Sequence, residues 1–250
     1  SSEEFLSERI SILMEAGAID PAIALLERAS PLPPKLVPKL FEASLLGSQY
    51  DPACKQVLDL GANYQNDAGR IYCHALEGDW LTASLIYNTS KALDSTDTST
   101  LLLLGEFLEI EEPSEKFLPL NEKALSPLDF RLYETLGYQI LRENLGNAFL
   151  FGDLSGDNGW YAQLVAAERL AENGVIDANR FLGIFTAYDP PSSDGIWERV
   201  RAIQHLDKAL SLSNSTKEVE LALKNAWQLF QYSPNSSIFA EVFTPRLLDV

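Results

Sequence analysis

The chain has 250 residues, 46% of them hydrophobic and 22% charged, ordinary values for a globular protein with a sizeable core. Its charge balance is unusual: 36 acidic residues against 19 basic ones leave a net charge of −17 and a pI near 4.4. Such a chain repels phosphate backbones and anionic lipid headgroups, and no stretch approaches the ~18 apolar residues that span a bilayer, so neither nucleic acid nor membrane insertion is expected.

The chain opens on Ser-Ser-Glu-Glu rather than on Met, which reads as a processed or trimmed start. A first helix is predicted from about Glu3 to Ala16, with Leu6, Ile10, Leu13 and Met14 on one stripe. Gly17 can take the left-handed conformation that ends a helix. Asp20 then reads as the cap of a second helix, with Pro21 at its first position, where a missing N–H costs nothing. Pro31, Pro33 and Pro34 stop that helix. A third is predicted from Lys35 to Leu46, and Asp51-Pro52 repeats the cap-then-proline start. Asn66 to Glu77 and Leu81 to Leu93 form a further pair.

Three segments thus open on glycine about 30 residues apart, at Gly17, Gly47 and Gly78. Each follows one helix-periodic stretch and precedes another, the pattern of stacked helical hairpins in which no unit buries its apolar face alone. The residue types resemble the tetratricopeptide repeat, in which the inter-helix Gly is followed at fixed offsets by Ala, a large apolar residue, a second Ala and Pro. Gly17, Ala22, Leu26, Ala29 and Pro34 match all five positions. Gly78, Ala83 and Tyr87 match three, with Ser90 and Ser95 at the others, and the Gly47 unit fits with one inserted residue through Ala53 and Val57. The resemblance covers residues 3–95 and implies antiparallel hairpins stacked as an α-solenoid.

Cys54 falls on the second helix of one predicted hairpin and Cys73 on the first helix of the next. Those helices should touch, so one disulfide is geometrically open to them, beside the alternative of two buried thiols.

Residues 96–142 form an acidic segment and a helix. From Asp94 to Glu122 there are eight acids and one base, which could receive a basic partner or simply face solvent. LLLL at 101–104 reads as a buried helix turn. Ser126-Pro127-Leu128-Asp129 is a helix start with cap, proline and acid in order. Residues 143–159 carry four glycines and no helical period, so they are expected to form a long loop, a common place for function. In that loop Asp153, Ser155 and Asp157 alternate as in a calcium loop. The sixth and twelfth positions of such a loop would be Asn158 and Leu164, not Gly and Glu, so a polar turn is expected and no metal. Asp153, Asp157 and Asn158, with Trp160 beside them as an aromatic platform, are the candidate binding residues.

Residues 160–250 are predicted to be helical again, from Trp160 to Glu172, from Ile196 to Leu212 and from Ser215 to about Tyr232. Glu172-Asn-Gly174-Val-Ile176-Asp177 echoes Glu15-Ala-Gly17-Ala-Ile19-Asp20, which predicts the same turn used twice. GWYAQLVAAERLAENGVIDANRFLGIFT and GIWERVRAIQHLDKAL are similar to an uncharacterised family of bacterial helical proteins, which implies a helical fold and a bacterial origin but no activity.

His74 and His205 are the only histidines, and neither has metal-ligand spacing or a nucleophile signature around it. No G-x-G-x-x-G, P-loop, H-E-x-x-H or G-x-S-x-G motif occurs. The expectation is an all-α protein forming one continuous array over 1–250, non-enzymatic and without cofactor. It would act as a protein- or peptide-interaction scaffold of the bacterial cell envelope, periplasmic or secreted, with a cytoplasmic location as the alternative. A helical accessory domain of a peptidoglycan-processing system is the second functional reading.

Overall fold

A computed structural model of the chain describes residues 2–47, 51–111, 125–138, 140, 142, 145–192, 194–212 and 215–248. Helices take up 74% of the described residues and none of these lies in a strand, so the protein is all-α. The chain divides into two compact units, Ser1–Gly152 and Asp153–Val250.

The first unit contains α1 (Ser2–Ala16), α2 (Ile19–Arg28), α3 (Val37–Leu46), α4 (Asp51–Leu60), α5 (Asp67–Leu76), α6 (Trp80–Leu93), α7 (Thr98–Phe107), α8 (Pro127–Thr135) and the single turn α9 (Asn147–Leu150). Consecutive helices from α1 to α8 pack on one another, and α1 also touches α3, as α5 touches α7. Two later helices return to earlier ones: α8 packs on α3 and α9 on α1. The small residue of each predicted hairpin is fully buried (Ala22, Ala53, Ala83), as is the larger one four positions on (Leu26, Val57, Tyr87). Small side chains let paired helices approach, and the larger ones fill the space beside them. A disulfide joins Cys54 on α4 to Cys73 on α5, with Cα atoms 5.1 Å apart and both residues buried.

The second unit contains α10 (Trp160–Glu172), α11 (Ala178–Phe185), α12 (Ile196–Leu212), α13 (Thr216–Phe230) and α14 (Ser236–Leu247). Its core gathers Leu164, Phe181, Phe185, Ile203, Phe230 and Phe243. Phe181 and Phe185 stack with centroids 4.3 Å apart, and α14 packs against α10 and α11.

The echoed turns at Gly17 and Gly174 are the same structure. In one, Gly17 N donates to Met14 O (2.9 Å) and Ala18 N to Leu13 O (2.8 Å); in the other, Gly174 N donates to Ala171 O and Val175 N to Leu170 O, both at 3.0 Å. This pair of bonds closes the last helical turn only when the glycine is left-handed, and φ is +87° at Gly17 and +64° at Gly174.

The two turns lead into their next helices differently. Asp177 is a true cap, accepting from Arg180 N at 2.9 Å, whereas Asp20 lies inside α2 and its N-cap is Ala18. Pro21 is therefore the third residue of α2, still within the first turn, where its missing N–H interrupts no bond. The third helix begins two residues later than predicted, after a 3-10 turn over Pro34–Leu36. Residues 143–159 are not all loop: α9 and a 3-10 turn over Gly152–Ser155 occupy part of the stretch. A second helix, α7, occupies the acidic segment, and α14 comes after the last predicted helix.

Candidate functional site

A concavity of the first unit, about 910 Å³, lies where α5, α7 and α8 begin and where one side of α3 faces them. Each of the three helix starts is held by a side-chain cap. Asn66 accepts from Gly69 N at 3.1 Å, Asp97 from Ser99 N at 3.0 Å, and Ser126 from Asp129 N at 3.0 Å. Polar caps belong at helix starts because the first amides have no partner within the helix. Three starts meeting at one place give the cleft a wall rich in Ser, Thr, Asp and Asn. Phe41, Leu45, Leu103 and Leu128 supply the apolar part of its lining.

Four carboxylates line this cleft: Glu42, Asp67, Asp97 and Asp129. Among the described residues no Lys, Arg, His or Cys does so. Three of the four are tied to neighbours. Asp67 pairs with Arg70 at 3.1 Å and accepts from the Ser95 hydroxyl at 2.9 Å. Asp129 accepts from the hydroxyls of Thr100 (2.8 Å) and Ser126 (2.7 Å). Asp97 accepts from both the hydroxyl and the amide of Ser99, which hold its carboxyl below the usual carboxylate value. Glu42 differs: burial pushes its carboxyl up, and nearby Lys39 only partly opposes this. Beside it, burial pushes up the phenol of Tyr64, and the charge of Glu42 adds to the effect. The Tyr64 hydroxyl is buried without a hydrogen-bond partner among the described residues, its ring packed edge-on against Phe41 at 6.4 Å. Gly69 makes room for that ring, since a Cβ there would sit 3.0 Å from Tyr64 Cε1 and 3.1 Å from Phe41 Cε1.

The residues singled out in the sequence lie in the second unit. Asp153 is 1% exposed and accepts from Asn158 Nδ2 at 2.7 Å, so these two are brought together as an internal contact of the turn. Asp157 is exposed and accepts from the Ser155 hydroxyl at 2.8 Å. Trp160 is half-buried, donates its ring N–H to Ile184 O at 2.8 Å and packs against Trp197 and Tyr188. No group of His, Cys, Asp and Glu suited to a metal ion occurs among the described residues. Of the histidines, His74 Nδ1 lies 3.5 Å from Asp79 on the first unit, and His205 lies on α12.

The cleft residues come from four helices and were not visible as a group in the sequence. One signal was available. α3, α5, α7 and α8 begin at residues 37, 67, 98 and 127, a spacing of about 30. Helix starts thus recur at a similar spacing, and three of the four carry a polar cap, Asn66, Asp97 or Ser126, whereas α3 follows Leu36 without one. No family model, curated protein or solved structure matches the chain.

Proposed function

We propose that the protein is a non-enzymatic interaction module whose first unit takes a basic segment of a partner protein or peptide into the cleft between α3, α5, α7 and α8. The observation that carries this reading is the one-signed charge of a cleft that also offers apolar surface. A Lys or Arg side chain has both parts, an apolar stem and a cationic head. In this reading α1 to α6 are three stacked hairpins of tetratricopeptide-like form, and α8 and α9 cover part of one side of the stack. The disulfide between Cys54 and Cys73 supports an oxidising compartment, the periplasm or the outside of the cell, because such bonds are rare where thiols are kept reduced.

Fluorescence anisotropy with labelled Lys/Arg-rich, neutral and acidic peptides of one length tests the proposal. The basic peptide should bind and weaken as salt rises, because its contacts are partly screened. D97N should weaken it by up to about fivefold, the range of one exposed charge pair, while leaving the helix start intact because Asn caps as well as Asp. Equal binding of all three peptides, or no effect of D97N together with Glu42→Gln, would refute it.

A further inference from the structure

The second unit carries a separate concave surface, built only from its own residues. Two residues three apart on α12 hold the loop that joins it to α11. Gln204 Nε2 donates to the carbonyls of Phe185 (3.0 Å) and Tyr188 (2.8 Å). Arg201 donates from Nε to Ser192 O (3.1 Å) and from Nη2 to Pro190 O (3.2 Å). Four bonds from one helix thus fix the loop by its backbone and leave its side chains to point elsewhere.

One of those side chains is Tyr188, which is 64% exposed. Its ring meets Trp160 at 5.4 Å and an interplanar angle of 71°. Trp160 is itself fixed by the bond from its ring N–H to Ile184 O and by Trp197, 5.2 Å away. An exposed aromatic ring is therefore presented with both its backbone and its packing partner immobilised, the condition under which binding loses least to ordering.

Next to this ring lies a pocket of about 600 Å³, within the size range of small-molecule sites. Besides Tyr188 its lining includes Asp189, Arg201, Gln204, His205 and Lys208. Arg201 commits Nε and one Nη2 N–H to the loop and Gln204 commits its amide nitrogen, so Asp189, His205 and Lys208, with the remaining guanidinium N–H groups and the Gln204 amide oxygen, are available to a ligand. An apolar ligand would strip water from these groups without replacing their hydrogen bonds. A small ion would leave the ring unused, and the phosphates of a nucleotide would meet a lining in which Asp189 and Asp207 already balance Arg201 and Lys208. A pyranose fits both halves: one face of the ring is C–H and stacks on an aromatic side chain, while its edge carries hydroxyls that both donate and accept.

We infer that the pocket beside Tyr188 is a saccharide-binding site. The test is isothermal titration of the full chain with chitotriose, cellotriose, maltotriose and mannotriose, each to ~10 mM, a concentration that detects dissociation constants of ~1 mM. At least one trisaccharide should bind saturably. Tyr188→Ala should weaken it at least tenfold with an unchanged melting curve, since the side chain is largely in solvent. Tyr188→Phe should keep most of the affinity, because the ring and not the hydroxyl does the stacking. Asp189→Asn provides a second, exposed substitution that should weaken binding severalfold by changing a hydroxyl acceptor. Absence of binding by all four sugars overturns the inference. So does binding that survives both Tyr188→Ala and Asp189→Asn, or a Lys/Arg-rich peptide that displaces the sugar from this pocket.

Discussion

Removing the disulfide by substituting both cysteines with alanine should destabilise the first unit by about 3 kcal/mol. Cys54 and Cys73 are separated by 19 positions, so the bond closes a loop of about 20 residues. In the chain-entropy treatment a loop of that length withholds about 11 cal/mol/K from the unfolded ensemble, or about 3 kcal/mol at 25 °C. For a unit of this size that corresponds to a melting temperature lower by roughly 6–12 °C. The bond joins neighbouring helices that already pack on each other, α4 and α5, so the folded arrangement should survive its loss. Thermal unfolding followed by circular dichroism at neutral pH, with and without reductant, measures the effect. Reduction of the native chain and the double substitution should give shifts of similar size. A shift below about 2 °C would refute the reasoning, because it would mean that the bond does not restrict the unfolded chain. Alkylation followed by intact-mass measurement checks separately that the native thiols are paired.

Gly17→Ala and Gly174→Ala should each cost about 1–2 kcal/mol, the penalty of a Cβ in left-handed backbone, and unequal costs in denaturant titrations would show that the two turns are not energetically equivalent. Glu42→Gln should raise stability at neutral pH. Burial lifts the Glu42 carboxyl above its ordinary value of 4.5, so the folded state is penalised once the group is charged; the advantage of the glutamine should open as pH rises above about 4.5 and close below it. Melting curves at pH 4 and pH 7 decide this, and an advantage equal at both values would remove ionisation as the cause. Trp160→Phe keeps a ring but loses the N–H bond to Ile184 O, and should destabilise the second unit by about 1 kcal/mol; full retention of stability would show that the bond is not needed to fix the ring.

The parts of the fold legible in the sequence are those governed by local physics. Gly17 and Gly174 could be read as turns because few residues other than glycine tolerate left-handed backbone. Ser126-Pro127 could be read as a helix start because an orphan amide needs an acceptor and a first-turn proline does not need one. The same local rule misled at Asp20, where Asp-Pro looks like a cap followed by a first residue but lies two residues deeper in the helix. Tertiary choices left no such mark. The return of α8 to α3 includes a bond from Arg131 Nε to Leu45 O at 2.7 Å across 86 positions, and a backbone carbonyl has no signature in a sequence. Asp153 was a reasonable ligand candidate by type and spacing, but the structure buries it against Asn158. Nothing in the sequence marks Tyr188, because its setting depends on Gln204 and Arg201 more than ten residues later.

The charge of the cleft has two different origins, and the difference bears on function. Asp67, Asp97 and Asp129 lie within the first turn of a helix or at its cap, where a negative charge favours the helix whether or not anything binds nearby. Their presence is explained by folding. Glu42 has no such explanation: it lies in the interior of α3, partly desolvated, beside a tyrosine whose hydroxyl is buried without a hydrogen-bond partner among the described residues. An apolar or amide side chain would serve the fold better there. A residue that costs stability where a neutral one would not is the kind that binding can retain. If a cationic segment enters the cleft, its charge would lower the penalty on Glu42, and binding would be coupled to release of a proton in the pH range where that carboxyl titrates. Glu42 thus separates a cleft that is acidic because helices begin there from one that is acidic in order to bind.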